Sequence, residues 1–324
     1  MSAFRPLIPP AFAALIDPAD PHDPIAAQVL PSAEEDDAYA DERIDPIGDD
    51  VHTPVRGLVC RYPDRVLFKV TSACSVHCRF CFRQGLLEGE RSLTLAAINA
   101  ALAWIAEHTA IREVILSGGD PLTLSARRLG AIVRRLQVLP HVRVVRFHTR
   151  VPVADPSRVT SSLARALRGA GLKPVYGVLH CNHAREMTDE ARAACGRLMR
   201  AGISLFAQSV LLRGVNDTPE SLEALLRTLF ENGIKPAYLH ILDRAPGTAH
   251  FRVPLRRAQD LMRSVRGRVS GLAQPTLVLD IPGGFGKVPV GPTYATASTL
   301  PCWTVEDPWG ERHVYSDLPG PESA

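Results

Sequence analysis

The segment Cys74-Ser-Val-His-Cys78-Arg-Phe-Cys81 places three thiols within eight residues, and no fourth cysteine follows nearby. Clustered thiols bind soft metals as thiolates, or join as disulfides in an oxidising compartment. A structural zinc site takes four ligands, typically as two close pairs, and an electron-transfer iron–sulfur cluster also takes four thiolates. Here the spacing is three residues and then two, and Cys60, Cys181, Cys195 and Cys302 form no pair. An odd total of seven cysteines does not fit a secreted disulfide framework. Three ligands on a four-iron cluster would leave one iron open to a substrate or cofactor.

Other stretches carry chemistry of different kinds. Lys287 stands in "DIPGGFGKVPV". A lysine in such a loop is ordinarily solvated, but glycines also give a planar cofactor close access to the backbone while the amine reaches its aldehyde. The turn Ser117-Gly118-Gly119-Asp120 could admit a ligand to the backbone, with Asp120 accepting from an ammonium; most such turns are only turns. Arg61, Tyr62 and Arg65 in "RYPDR" offer guanidinium forks that suit a phosphate, or a surface charge pair. Asp243 and Asp280 would repel as a buried pair and raise a pKa unless a cation joins them. The plainer role for either is a cap, or an ion pair with an arginine such as Arg244.

These groups need a frame, and from residue 65 onward the pattern supplies one. Short β-branched runs alternate with segments of 3.6-residue apolar period: "VLFKVTSA", "EVILSGG", "VRVVRFHTR", "PVYGVLHC", "SLFAQSVLL", "PAYLHILD" and "PTLVLDIP" are the strands. Helices such as "TDEARAACGRLMRAG" and "TPESLEALLRTLFENG" open on threonine caps and end at glycine. Six or seven βα units predict an α/β fold, a parallel sheet curled into a full or partial barrel with its chemistry at the strands' C-terminal ends. Unusual polar groups fall at those ends: Cys74, Ser117 to Asp120, His148 to Arg150, His180 to His183, Gln208, His240 with Asp243, and Asp280.

Bulk properties exclude other classes. At 46% hydrophobic and 22% charged residues the chain reads as an ordinary globular protein, and a net charge of +3 gives no argument for nucleic acid or an anionic membrane. No apolar run approaches the roughly 20 residues of a membrane span. The N-terminal stretch lacks a signal pattern, so a cytoplasmic location is the expectation. Residues 1–60, rich in Pro, Asp and Ala, are expected to form short helical pieces with a mobile acidic stretch; a disordered leader is the alternative. Residues 61–295 would be the barrel and 296–324 a short tail.

The spacing CxxxCxxC after the first barrel strand, with Phe80 before the last cysteine, resembles the radical S-adenosylmethionine (SAM) superfamily. With "PGGFGK" the resemblance narrows to the lysine 2,3-aminomutase family. It covers roughly residues 45–295, including "RYPDRVLFKVTSACSVHCRFCFRQ", "SGGDPL", "QSVLLRGVND" and "HFRVP". It implies a partial (β/α)6-type radical SAM barrel with an N-terminal helical extension, and a [4Fe-4S] cluster on Cys74, Cys78 and Cys81. It further implies S-adenosyl-L-methionine at Ser117, Gly118, Gly119, Asp120, His180 and Gln208, and pyridoxal 5′-phosphate on Lys287 with Arg61, Tyr62 and Arg65 around it. Arg83 would grip the substrate carboxylate, and Asp243 and Asp280 the ε-ammonium of lysine. The implied reaction is a 2,3-amino migration from L-α-lysine to β-lysine, started by a 5′-deoxyadenosyl radical and fed by an external one-electron reductant of flavodoxin or ferredoxin type. Family precedent favours a homo-oligomer. Thr218 stands where longer members carry the first of their zinc-binding cysteines, so no structural zinc is expected, and the short tail resembles members associated with elongation factor P. Rival readings are a radical enzyme for another amino acid and a non-catalytic iron–sulfur or pyridoxal-binding regulator.

Overall fold

The computed structural model describes residues 4–85, 93–298 and 302–318. Its main sheet has nine strands in sequential order: β1 (Leu58–Tyr62), β2 (Arg65–Thr71), β3 (Glu113–Gly118), β4 (Val144–Thr149), β5 (Val175–His180), β6 (Ser204–Val210), β7 (Lys235–His240), β8 (Thr276–Asp280) and β9 (Lys287–Pro289). Strands β2 to β8 are mutually parallel, and β1 and β9 lie antiparallel at the two edges.

Period-two patterning explains the sheet's two faces. Along β2, Val66, Phe68 and Val70 are buried beneath the helices, while Arg65, Leu67 and Lys69 are only partly buried. Burying a side chain such as Phe68 stabilises the fold by about 1.5–3 kcal/mol. The same alternation gives the other face His148 on β4, His180 on β5, Gln208 on β6 and His240 on β7.

Each crossover between β2 and β8 carries a helix: Leu95–Glu107, Ala126–Gln137, Ser161–Arg168, Asp189–Arg200, Pro219–Glu231 and Leu255–Val265. The first five are capped by the side-chain oxygens of Thr94, Ser125, Thr160, Thr188 and Thr218, each accepting a backbone N–H of the first turn. In Ala126–Gln137 the buried Leu129, Ile132, Val133 and Leu136 form the apolar stripe that seats it. Six βα units and a seventh parallel strand make the expected partial barrel.

Three elements depart from the sequence reading. Strands β1 and β9 are not among the strands expected from the sequence, and around the expected tail β10 (Ala295–Ala297), β11 (Cys302–Glu306) and β12 (Arg312–Ser316) form an antiparallel sheet. Segments as short as β9 and β10 carry too few residues for a periodic signal. The expected boundaries at 60/61 and 295/296 fall inside β1 and β10.

Over its described residues the N-terminal extension forms short helices and loops that pack as a cap. Short helices Pro10–Ala13 and Pro24–Val29 bury Phe12, Ile25 and Val29 against Val76 and Ala154. The acidic stretch expected to be mobile contributes Glu35, which is buried in an ion pair with Arg79. No helix among the described residues is long and apolar enough to cross a membrane.

Candidate functional site

Cys74, Cys78 and Cys81 follow β2 in one loop, and all three are unbridged and partly buried. Burial, reinforced by the neighbouring Cys78 charge, pushes the Cys81 thiol up to about 12. Burial and then the charges of Asp120 and the other two cysteines push Cys74 up as well. Three converging thiolates are therefore unfavourable without a cationic centre, which is the condition that bound iron meets. The residues between the cysteines hold the cap in place. His77 Nδ1 lies 2.7 Å from the carbonyl oxygen of Arg5, with its ring stacked on Phe4. Arg79 is fully buried and donates to Glu35 and to the Phe4 carbonyl. Phe80 stacks on His180 with ring centres 5.5 Å apart.

The glycine turn after β3 sits directly against this loop. A Cβ on Gly119 would lie 2.3 Å from the Ala73 carbonyl oxygen, and Gly118, at φ +114°, would meet the Thr71 oxygen at the same distance. The backbone N–H of Gly119 donates to the Thr71 carbonyl at 2.7 Å and that of Asp120 to the Ala73 carbonyl at 2.8 Å. The two glycines thus admit the cysteine loop's own backbone. Asp120 has a structural role within the protein. Its carboxylate accepts from the N–H groups of Leu122, Arg150 and Val151 and from the Thr149 hydroxyl, so it ties the β3 and β4 ends together. Ser117 is buried one residue before the turn.

Further along the strand ends, His180 and Gln208 are register partners on β5 and β6. Gln208 Nε2 lies 3.4 Å from His148 Nδ1, and His180 Nε2 lies 3.2 Å from Asn182 Nδ2. Burial, with Arg146 beside one ring and Arg150 beside the other, holds His148 and His180 well below the usual histidine range. The His148 Nε2 atom is buried without a hydrogen-bond partner, as is His240 Nε2.

Lys287 opens β9 opposite Asp280, the last residue of β8. Its Nζ lies 2.5 Å from Asp280 Oδ2 and 3.1 Å from His240 Nδ1. Burial would raise the Asp280 carboxyl, but the hydrogen bond to His240 and the charge of Lys287 hold it well below the usual carboxylate range. Tyr62 on β1 accepts the Lys287 backbone N–H at 2.9 Å, joining the two sheet edges by a side chain. The loop before Lys287 turns through Gly283, Gly284 and Gly286, all at positive φ, and Gly284 packs so tightly on Gly48 that a Cβ on Gly48 would overlap its backbone. His52 Nε2 approaches the Gly284 carbonyl at 3.0 Å. The "RYPDR" residues divide their work. Arg61 reaches to 3.8 Å from Asp280 Oδ1, whereas Arg65 stacks on the Tyr62 ring and pairs with Asp64.

Arg83 lies beyond the last clustered cysteine, and Asp49 of the N-terminal extension holds it at 2.8 Å. The other Asp49 oxygen lies 3.4 Å from Arg61, so one acid links the expected carboxylate-binding arginine to the expected phosphate-side arginine. Against the burial that would raise it, the Arg83 charge holds Asp49 below the usual range. Asp243, in the loop after β7, is pushed up to about 7 by burial and by the charge of Asp280. Asp49 had no marker in sequence, being one of many acids in a Pro/Asp-rich stretch. Arg150 and His148 were visible only as polar groups at a strand end.

The four remaining cysteines lie apart from this centre. Cys181 and Cys195 are in the core, Cys60 packs against it, and Cys302 is in β11.

Comparison with known proteins places this geometry. Residues 68–229 match the radical SAM superfamily. An L-lysine 2,3-aminomutase of Clostridium subterminale is 39% identical over 300 residues, covering 92% of this chain and 72% of that protein. One from Acetoanaerobium sticklandii is also 39% identical, covering 91% and 71%. The Escherichia coli K12 protein of that name is 36% identical over 283 residues, covering 87% of this chain and 82% of its own length. Similarity of this extent shows that the chain belongs to the lysine 2,3-aminomutase family of the radical SAM superfamily.

Proposed function

We propose that this protein converts L-α-lysine to β-lysine by 2,3-amino migration, using a [4Fe-4S] cluster, S-adenosyl-L-methionine and pyridoxal 5′-phosphate, with an external flavodoxin- or ferredoxin-type donor of single electrons. When bound, the cluster and S-adenosylmethionine supply a hydrogen-abstracting radical, and pyridoxal phosphate supplies the carbonyl that carries the nitrogen. Cys74, Cys78 and Cys81 would hold the cluster. His180, Gln208 and the Ser117–Gly119 turn would line the side facing S-adenosylmethionine, and Asp120 would keep that turn in shape. Lys287 would hold the pyridoxal aldehyde, with Arg61 on the phosphate side and Tyr62 fixing the lysine's backbone. Arg83, oriented by Asp49, would bind the substrate carboxylate.

The observation that carries the choice of lysine is the acid pair. Asp280 has a cation beside it in Lys287, whereas Asp243 carries a carboxyl pushed up to about 7 by burial and by Asp280. A second ammonium between the two would relieve that repulsion, and the ε-ammonium of lysine is such a group. A substrate with an acidic side chain would worsen it.

Anaerobic reconstitution with iron, sulfide and pyridoxal phosphate, followed by lysine, S-adenosylmethionine and dithionite, tests the proposal. β-Lysine is the expected product. Turnover of another amino acid in place of lysine overturns the substrate assignment, and no turnover of any amino acid by a fully loaded protein overturns the activity.

A further inference from the structure

The guanidinium of Arg150 is committed to one of the three clustered cysteines. Its Nη1 lies 2.8 Å from Cys78 Sγ. Its Nη2 donates to Gln28 Oε1 at 2.6 Å and to Glu186 Oε2 at 3.0 Å. Phe12 and Phe80 lie against it, with ring centres 4.9 and 5.5 Å from Cζ, and its side chain is only 5% exposed. Glu186 is pinned in turn by the backbone N–H groups of Asn182 and His183, and Gln28 by its own contact to Glu186. The arginine therefore has one position available to it, and that position faces sulfur.

Sulfur of a neutral thiol is a weak acceptor, so a buried guanidinium gains little from it. The Cys78 sulfur stands here for the thiolate it becomes as an iron ligand, and an N–H donor with a full positive charge then makes a charge-assisted bond. We propose that Arg150 sets the reduction potential of the cluster, an inference that rests on the cluster assignment above. Adding one electron increases the negative charge on the cluster sulfurs, and a donor aimed at one of them stabilises the reduced form more than the oxidised form. Arg150 acts through Cys78, so it is a positioning and tuning residue. Gln28 makes the tuning depend on the N-terminal cap.

The test is the midpoint potential of the [4Fe-4S] couple, measured anaerobically without S-adenosylmethionine in wild type, Arg150→Gln and Arg150→Lys, with iron and sulfide contents determined alongside. Arg150→Gln is expected to make reduction about tenfold less favourable, a fall of about 59 mV for a one-electron couple. Arg150→Lys, which keeps the charge but loses the fork, should lie between. An unchanged potential in an Arg150→Gln protein with a full cluster overturns the proposal. Should that variant fail to hold iron, wild type grown on arginine ¹⁵N-labelled only in the guanidinium decides. Pulsed EPR of the reduced cluster then shows ¹⁵N coupling if the contact exists, and its absence overturns the proposal. A wild-type protein that assembles no four-iron cluster overturns the functional assignment and this inference together, whereas an unmoved potential overturns the inference alone.

Discussion

Lys287 and Asp280, seven residues apart, face each other across the β8–β9 hairpin with Nζ and Oδ2 at 2.5 Å. The pair exists because the glycine-rich turn reverses the chain at once after β8 and because Tyr62 catches the lysine's backbone from the opposite sheet edge. It gives the candidate site a built-in cation beside one of its two acids.

Removing that cation should separate the two halves of the site. Lys287→Ala is expected to abolish the visible absorbance of bound pyridoxal phosphate while leaving iron content and cluster absorbance unchanged. Loss of the cluster as well, or retention of the pyridoxal spectrum, would show that the hairpin does something else. The partner change Asp280→Asn should raise the lysine KM at least tenfold, the order expected when a charged hydrogen bond is lost.

Asp243 makes a prediction about pH. Its carboxyl is raised from 3.8 to about 7, so between about pH 4 and 7 the folded protein holds a proton that the unfolded chain has released. Stability therefore falls as pH rises through this window. Asp243→Asn removes the effect, and in the apoprotein it should exceed wild type by on the order of 1–3 kcal/mol at pH 8 and by nothing near pH 4. Denaturant unfolding at several pH values measures the difference. A gap that does not widen with pH would exclude a raised Asp243.

Gly119 has a strict steric role. Gly119→Ala places a Cβ against the Ala73 carbonyl oxygen, 2.3 Å away before relaxation, so the cysteine loop must move. A stability loss of about 1–3 kcal/mol and less than half the wild-type iron content are expected. Thermal unfolding and iron analysis check both, and full cluster occupancy would show that the loop tolerates displacement.

The Arg79–Glu35 pair locks the N-terminal cap over the cysteine loop, since Arg79 lies between two of the clustered cysteines and both side chains are buried. Arg79→Met leaves Glu35 buried without its cation, at an expected cost of about 3–5 kcal/mol. Bleaching of the reconstituted cluster in air should accelerate, because the lifted cap admits oxygen. The double change Arg79→Met, Glu35→Leu should recover much of the stability, which distinguishes loss of the pair from loss of packing.

Much of the framework was legible in the chain. Each strand and helix read from residues 65–282 is present, because alternation and the 3.6-residue period are local consequences of burying one face. The cysteine spacing and the Lys287 loop are likewise short-range patterns, and both point to the same family as the comparisons. Strands β9 and β10 have three residues each and so no period to detect, and the pairing that makes β1, β11 and β12 strands is not written in either partner alone.

What the sequence determined by itself was therefore the order of elements and the types of reactive group, both set by neighbours a few residues apart. Tertiary structure decided which of those groups meet. Arg79 finds Glu35 across 44 positions, Arg150 finds Gln28 across 122, and Lys287 finds Tyr62 across 225. It also made Asp120 a brace between strand ends, and it drew Asp49 out of an acidic stretch to join Arg61 with Arg83. A buried charge must find an opposite charge within a few ångströms, and only the packed backbone determines which one is there.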